Sequence, residues 1–123
     1  MISFYFSVMW IYFQIEGRNG SPVRILGKYG TDCPVTIVTH DTLLQLHHCN
    51  YTELPEAIDM YTTDYKYIGV CAKACLSLNQ GNFVNVYVTR ARFHNNWICI
   101  GKGDEVKFQR YIFPNDFEMS GFE

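Results

Sequence analysis

The chain has no apolar run as long as the roughly 18–20 residues that a membrane-spanning helix needs, so no membrane partner is expected. It also lacks low-complexity tracts and any linker long enough to divide its 123 residues, and a single domain over 1–123 follows. Charged residues make up only 18% against 48% hydrophobic, a balance that excludes a disordered chain and supplies enough apolar area for one core. Phosphate-binding glycine loops, nucleophile elbows and zincin helices are all missing, and Gly101-Lys102-Gly103 reads as a hairpin turn rather than a strand-to-helix cradle. No cofactor motif is present, and an enzyme is not expected. The five cysteines are odd in number and too sparse for a disulfide scaffold, which points to a reducing, intracellular compartment, cytoplasm or nucleus. The first fifteen residues are apolar but carry no basic segment, and Gln14 and Glu16 close the run, so they read as structure and not as a leader.

What is present is a period of two. Ile2, Phe4, Phe6, Val8, Trp10 and Tyr12 alternate with Ser3, Tyr5 and Ser7, and from Met9 the second face turns apolar as well, which predicts a long central strand over 2–15. Turn formers at Gly17–Pro22 and Gly30–Pro34 bound a strand from Val23 to Tyr29 and a short one from Val35 to Val38. Thr39 or Asp41 then starts a helix over about 41–49, and Pro55 suits the first position of a second, with Ala57, Ile58 and Tyr61 buried. Alternation returns from Tyr67 to Leu78, Asn79-Gln80-Gly81-Asn82 is a hairpin signal, and strands over 83–93, 97–100 and 105–113 complete a four-strand meander. The fold class is therefore α+β: a mostly antiparallel sheet, or a partly closed barrel or sandwich, with six or seven strands and one or two short helices near 41–61. Its core is drawn from Phe4, Phe6, Val8, Trp10, Ile25, Val35, Ile37, Leu43, Leu46, Ile68, Val70, Leu76, Val84, Val86, Ile98 and Ile100. Ile25–Gly30 and Ile98–Gly103 are similar enough to suggest a duplicated strand-strand-strand-helix unit, although two hairpins of similar composition by chance is the preferred reading.

Four soft ligands, Cys71, Cys75, His94 and Cys99, fall in two close pairs. In a regular strand, however, Cys71 and Cys75 lie roughly 13 Å apart, too far to share one metal, so no metal site is expected. His47 and His48, with His40 before them, read as helix-terminal residues that offset the helix dipole. Glu53 and Glu56 suit a helix N-terminus in the same way.

Charge is divided along the chain. Residues 41–64 carry Asp41, Glu53, Glu56, Asp59 and Asp64 with no Lys or Arg, whereas residues 66–113 hold an excess of five positive charges. In the basic half Arg90, Arg92, Lys107 and Arg110 lie among Tyr87 and Tyr111, the mixture with which single-stranded nucleic acid is bound, cations holding phosphates and rings stacking on bases. A strand meander closed by a helix also resembles, in outline, the single-strand-binding transcriptional coactivator and Whirly group, and that resemblance implies the same ligand. The favoured expectation is different: a non-catalytic interaction or assembly subunit that offers a sheet face or edge to other protein subunits, a homo-oligomer among them, using Tyr, Trp and Arg anchors. The Tyr, Phe and Asn content matches small structural components, viral ones included. The acidic segment favours this reading, since it repels phosphates unless it lies on the far side of the domain.

Overall fold

The computed structural model describes residues 9–30, 33–61, 67–79 and 81–112. Alternating patterns become seven strands: β1 (Met9–Glu16), β2 (Pro22–Tyr29), β3 (Thr36–Thr39), β4 (His48–Tyr61), β5 (Tyr67–Asn79), β6 (Asn82–Thr89) and β7 (Trp97–Cys99). Among the described residues there are also two short α-helices, α1 (His40–Leu43) and α2 (Glu105–Ile112), the second led in by a 3-10 turn over Lys102–Asp104. The strands form one open sheet in the order β1-β2-β7-β3-β6-β5-β4, so the α+β class holds and the sheet is not a closed barrel. Pairing is antiparallel except where β2 meets β7 and β3 meets β6.

That order contains a two-fold relation. Exchanging β1, β2, β3 and α1 for β5, β6, β7 and α2 reverses the first six strands of the sheet onto themselves, with β3 and β7 antiparallel at the centre. Each third strand leaves its own hairpin and lies parallel to the other's second strand. Thr39 (φ −72°, ψ 149°) and Gly101 (φ −69°, ψ 153°) then turn the chain into a helix in the same extended conformation. The likeness between Ile25–Gly30 and Ile98–Gly103 does not carry this symmetry, because it matches β2 to β7, whereas the topology matches β2 to β6.

Local signals lost to long-range pairing at several points. The helix expected over 41–49 stops at Leu43, because Leu46 bridges to Gly17 and His48 already pairs with β5. Pro55 lies inside β4 and starts no helix. That strand is at the sheet edge, where a missing N–H breaks no ladder, and its register shifts between Glu53 and Ile58. Ala57 and Ile58 are consequently exposed. Residues 105–112 form α2 and not a strand: Phe108 and half-buried Tyr111 share the buried side at helical spacing, and Val106 is 78% exposed. The expected meander is broken because β7 inserts between β2 and β3.

β1 is an edge strand rather than a central one. Phe13 and Ile15 bury their side chains with Ile11 packed beside them, leaving Trp10 on the outer face, out of the core where it was expected. Phe4, Phe6 and Val8 lie outside the described residues, and Val35 is half-buried. The remaining expected core residues are buried, in two clusters on opposite faces of the sheet. On one face Leu43 and Leu46 from the α1 region and Phe108 of α2 cover β1, β2, β5 and β6; on the other Cys33, Trp97 and Cys99 pack with Ile37, Ile68 and Val70. No helix among the described residues is long and apolar enough to cross a membrane.

Candidate functional site

The basic aromatic residues do not form one stripe. Arg90, just past β6, reaches Glu53 (3.5 Å) and the Tyr51 hydroxyl (3.4 Å), and Arg92 approaches Asp41 (3.9 Å). The acidic segment thus lies against the two arginines, not on the far side of the domain. These pairs are exposed and add little stability, but they cancel the local positive field. Lys107 and Arg110 are on α2, and Lys107 Nζ donates to the Phe83 carbonyl (3.2 Å). From Phe83 to Arg90 the chain runs roughly 23 Å along β6, so Arg90 and Lys107 sit at opposite ends. Tyr111 is half-buried, donates its hydroxyl to the Leu78 carbonyl (2.7 Å), and has its pKa raised by burial. Tyr87 is half-buried with Lys73 Nζ 5.9 Å from its ring centre. Together with Asn50, Cys75, Asn85 and Lys107 these two residues line a cleft of about 530 Å³.

Gly101-Lys102-Gly103 does stand between a strand and a helix, correcting the hairpin reading. It is not a free anion cradle. The Gly101 N–H donates to Thr36 Oγ1 (2.9 Å), the Lys102 N–H to the Cys33 carbonyl (2.8 Å) and the Asp104 N–H to the Gly101 carbonyl (2.9 Å), and Asp104 and Glu105 occupy the first turns.

The soft-ligand set is dispersed. Cys71 faces the Val88 carbonyl (3.6 Å), Cys75 lies opposite Cys49, Cys99 is buried in β7 and His94 is on an exposed loop. Among the described residues no three His, Cys, Asp or Glu side chains converge as a metal site. Nor are His47 and His48 helix-terminal, since α1 ends at Leu43; the ring of His48 meets the Leu46 carbonyl (3.0 Å).

Four of the five cysteines instead fall into two close pairs that sequence reading missed. Cys33 is buried beside Cys99, and its thiol is drawn down from 9.0 to about 6. A hydrogen bond from Cys99 is the main cause; the Val35 backbone and the charge of Lys28 add to it, against the opposing effect of burial. A thiol whose folded pKa is depressed contributes stability that is fully present above pH 9.0 and is lost as the pH falls through 6. Urea denaturation should therefore show stability rising from pH 6 to 9. Cys99→Ala should flatten that rise. An unchanged slope would remove Cys99 as the cause. The second pair, Cys49 and Cys75, are opposite partners on β4 and β5.

The two sheet edges differ. β4 carries Glu53, Glu56 and Asp59, contains Pro55, breaks register twice and holds Asn50 at φ 57°, all devices that discourage another strand from pairing. β1 has none of these within its span and carries a single charge, Glu16, at its last residue. It pairs with β2 without a break over eight residues, carries no Lys or Pro, and is uncharged from Met9 to Ile15. Among the described residues no strand pairs with its outer side. Its exposed face presents Trp10 (49% exposed) and Tyr12 (47%). The Arg24 guanidinium lies 3.8 Å above the Tyr12 ring centre, and Lys28 Nζ lies 5.2 Å from that of Trp10. Arg24 and Lys28 alternate along β2, and Trp10 and Tyr12 share one face of β1, so this ladder was visible in the sequence once Trp10 was allowed to face out.

Compared with protein-family models and with curated proteins, the chain matches none.

Proposed function

We propose that the chain is a non-catalytic assembly subunit that pairs β1 with β1 of a second copy across a two-fold axis. The asymmetry of the edges carries this reading: a guarded β4 and a regular, unguarded β1 in one sheet. Two-fold closure is the commonest oligomer symmetry, and here it would leave only the guarded β4 edges facing outward. The strand is suited to pairing with itself. Antiparallel pairing centred on Phe13 sets Tyr12 opposite Gln14 and Trp10 opposite Glu16, so no like charges meet. Trp10, Tyr12 and Arg24 supply the residue types that dominate interface energetics. The competing reading assigns single-stranded nucleic acid to Arg90, Arg92, Lys107, Arg110, Tyr87 and Tyr111, but the two arginines already face Glu53 and Asp41.

Sedimentation velocity separates the readings. The wild type should sediment as a dimer at micromolar concentration, and the double variant Trp10→Lys with Tyr12→Lys as a folded monomer, since both side chains are exposed. A wild type that stays monomeric would contradict the proposal. Oligonucleotide binding whose log affinity falls with log salt at a slope of about 0.7 per phosphate contact, weakened by Arg90→Ala and Arg92→Ala, would establish the competing reading.

A further inference from the structure

We infer that Cys49 and Cys75 are a thiol–disulfide site, closing reversibly to a disulfide with a low-molecular-weight disulfide such as oxidised glutathione as the oxidant. The placement is set by the backbone. The two residues are direct cross-strand partners on antiparallel β4 and β5. Such partners have Cα atoms about 4.5–5.5 Å apart, inside the roughly 4.4–6.8 Å window that a disulfide spans. The ladder loses register immediately after this pair, and Asn50 adopts φ 57°, so the backbone beside Cys49 is not locked into a continuous strand.

Access separates this pair from the other thiols. Cys33 and Cys99 are 3% and 0% exposed, whereas Cys49 is exposed and Cys75 is half-buried at the wall of the Lys73–Lys107 cleft. Cys71 has a backbone carbonyl as its neighbour and no cysteine opposite. Burial and the sulfur of Cys49 push the Cys75 thiol up, so the exposed residue meets the oxidant first and Cys75 resolves. The Cys49 thiolate, its proton lost to water, attacks one glutathione sulfur; a mixed disulfide forms and one glutathione thiolate leaves. Cys75, deprotonated in turn, attacks the Cys49 sulfur and expels the second. Two protein thiols are oxidised to one disulfide while one glutathione disulfide is reduced to two thiols. The product staples the edge strand to β5 beside the first of the two breaks in its ladder.

The full chain, equilibrated with equimolar oxidised and reduced glutathione, quenched with acid and alkylated, tests this by non-reducing peptide mapping. The expected result is a Cys49–Cys75 linked peptide in most molecules, its loss on return to reduced glutathione alone, and unchanged alkylation of Cys71. The oxidised form should melt at least about 5 °C above the reduced form, a gain absent from Cys75→Ser. The site is refuted if both thiols stay free, if Cys49 stops at the mixed disulfide, or if the linkage joins another pair. Cys49→Ser alone serves as the second variant: it should keep the reduced protein's melting temperature and lose the response to oxidant.

Discussion

Phe108→Ala is expected to cost about 3–5 kcal/mol of stability, the range for removing a fully buried phenylalanine. Phe108 is the main apolar anchor of α2. It is wholly buried and meets Phe13 of β1 edge-on, with ring centres 6.1 Å apart. Of the rest of the helix, half-buried Tyr111 packs against the same core, whereas Val106 is 78% exposed and Lys107 and Arg110 are exposed. Truncation leaves a cavity beneath β1 and removes the ring that fixes Phe13. Val106→Ala, by contrast, should fall within about 0.5 kcal/mol of wild type. Urea denaturation of the two variants checks both values. A cost below about 1 kcal/mol for Phe108→Ala would mean that α2 does not pack on the sheet as described.

Gly101→Ala should also be strongly destabilising, by about 1–3 kcal/mol or more. A Cβ at that position would lie 2.5 Å from the Val35 carbonyl carbon and 2.7 Å from the Thr36 nitrogen. Both are backbone atoms, so relief requires β3 and the end of β7 to separate. That separation would disturb buried Thr36, whose Oγ1 accepts from the Gly101 N–H (2.9 Å) and donates to Asp104 (2.6 Å). The hydrogen bonds sit where the two halves of the pseudo-two-fold meet. Gly103→Ala is the matched control, because a Cβ there meets nothing within 4 Å. Equal stabilities for the two variants would contradict the close approach of residues 35–36 to Gly101.

Much of the sheet was legible in the sequence, and the reason is physical. Period-two alternation survives wherever a strand buries one face, as in β2, β5 and β6, and Asn79–Asn82 signals a tight connection that the structure retains, with Gly81 at φ 79°. Signals failed where the partner is distant. Pro55 is a good helix starter locally, but β5 recruits its segment as an edge strand. Residues 105–112 alternate well enough for a strand, and only Phe108's place beneath Phe13 reveals the helical period. Trp10 was assigned inward by carrying the alternation of residues 2–8 into β1, although Gln14 and Glu16 share its face and Ile11, Phe13 and Ile15 make the other face the apolar one. The thiol pairs were invisible for a related reason. Cys33, ahead of β3, meets Cys99 of β7, and Cys49 meets Cys75 across β4 and β5, contacts between residues far apart in the chain, whereas the sequence drew attention to Cys71 and Cys75 on one strand.

Hydrogen exchange of the β1 backbone amides as a function of protein concentration tests the assembly reading most directly. Self-pairing of β1 protects outward-facing amides between Met9 and Glu16 at concentrations where the dimer forms and exposes them on dilution, while amides of β4 exchange at the same rate throughout. Exchange in β1 that is independent of concentration, or protection that appears in β4 instead, would contradict it.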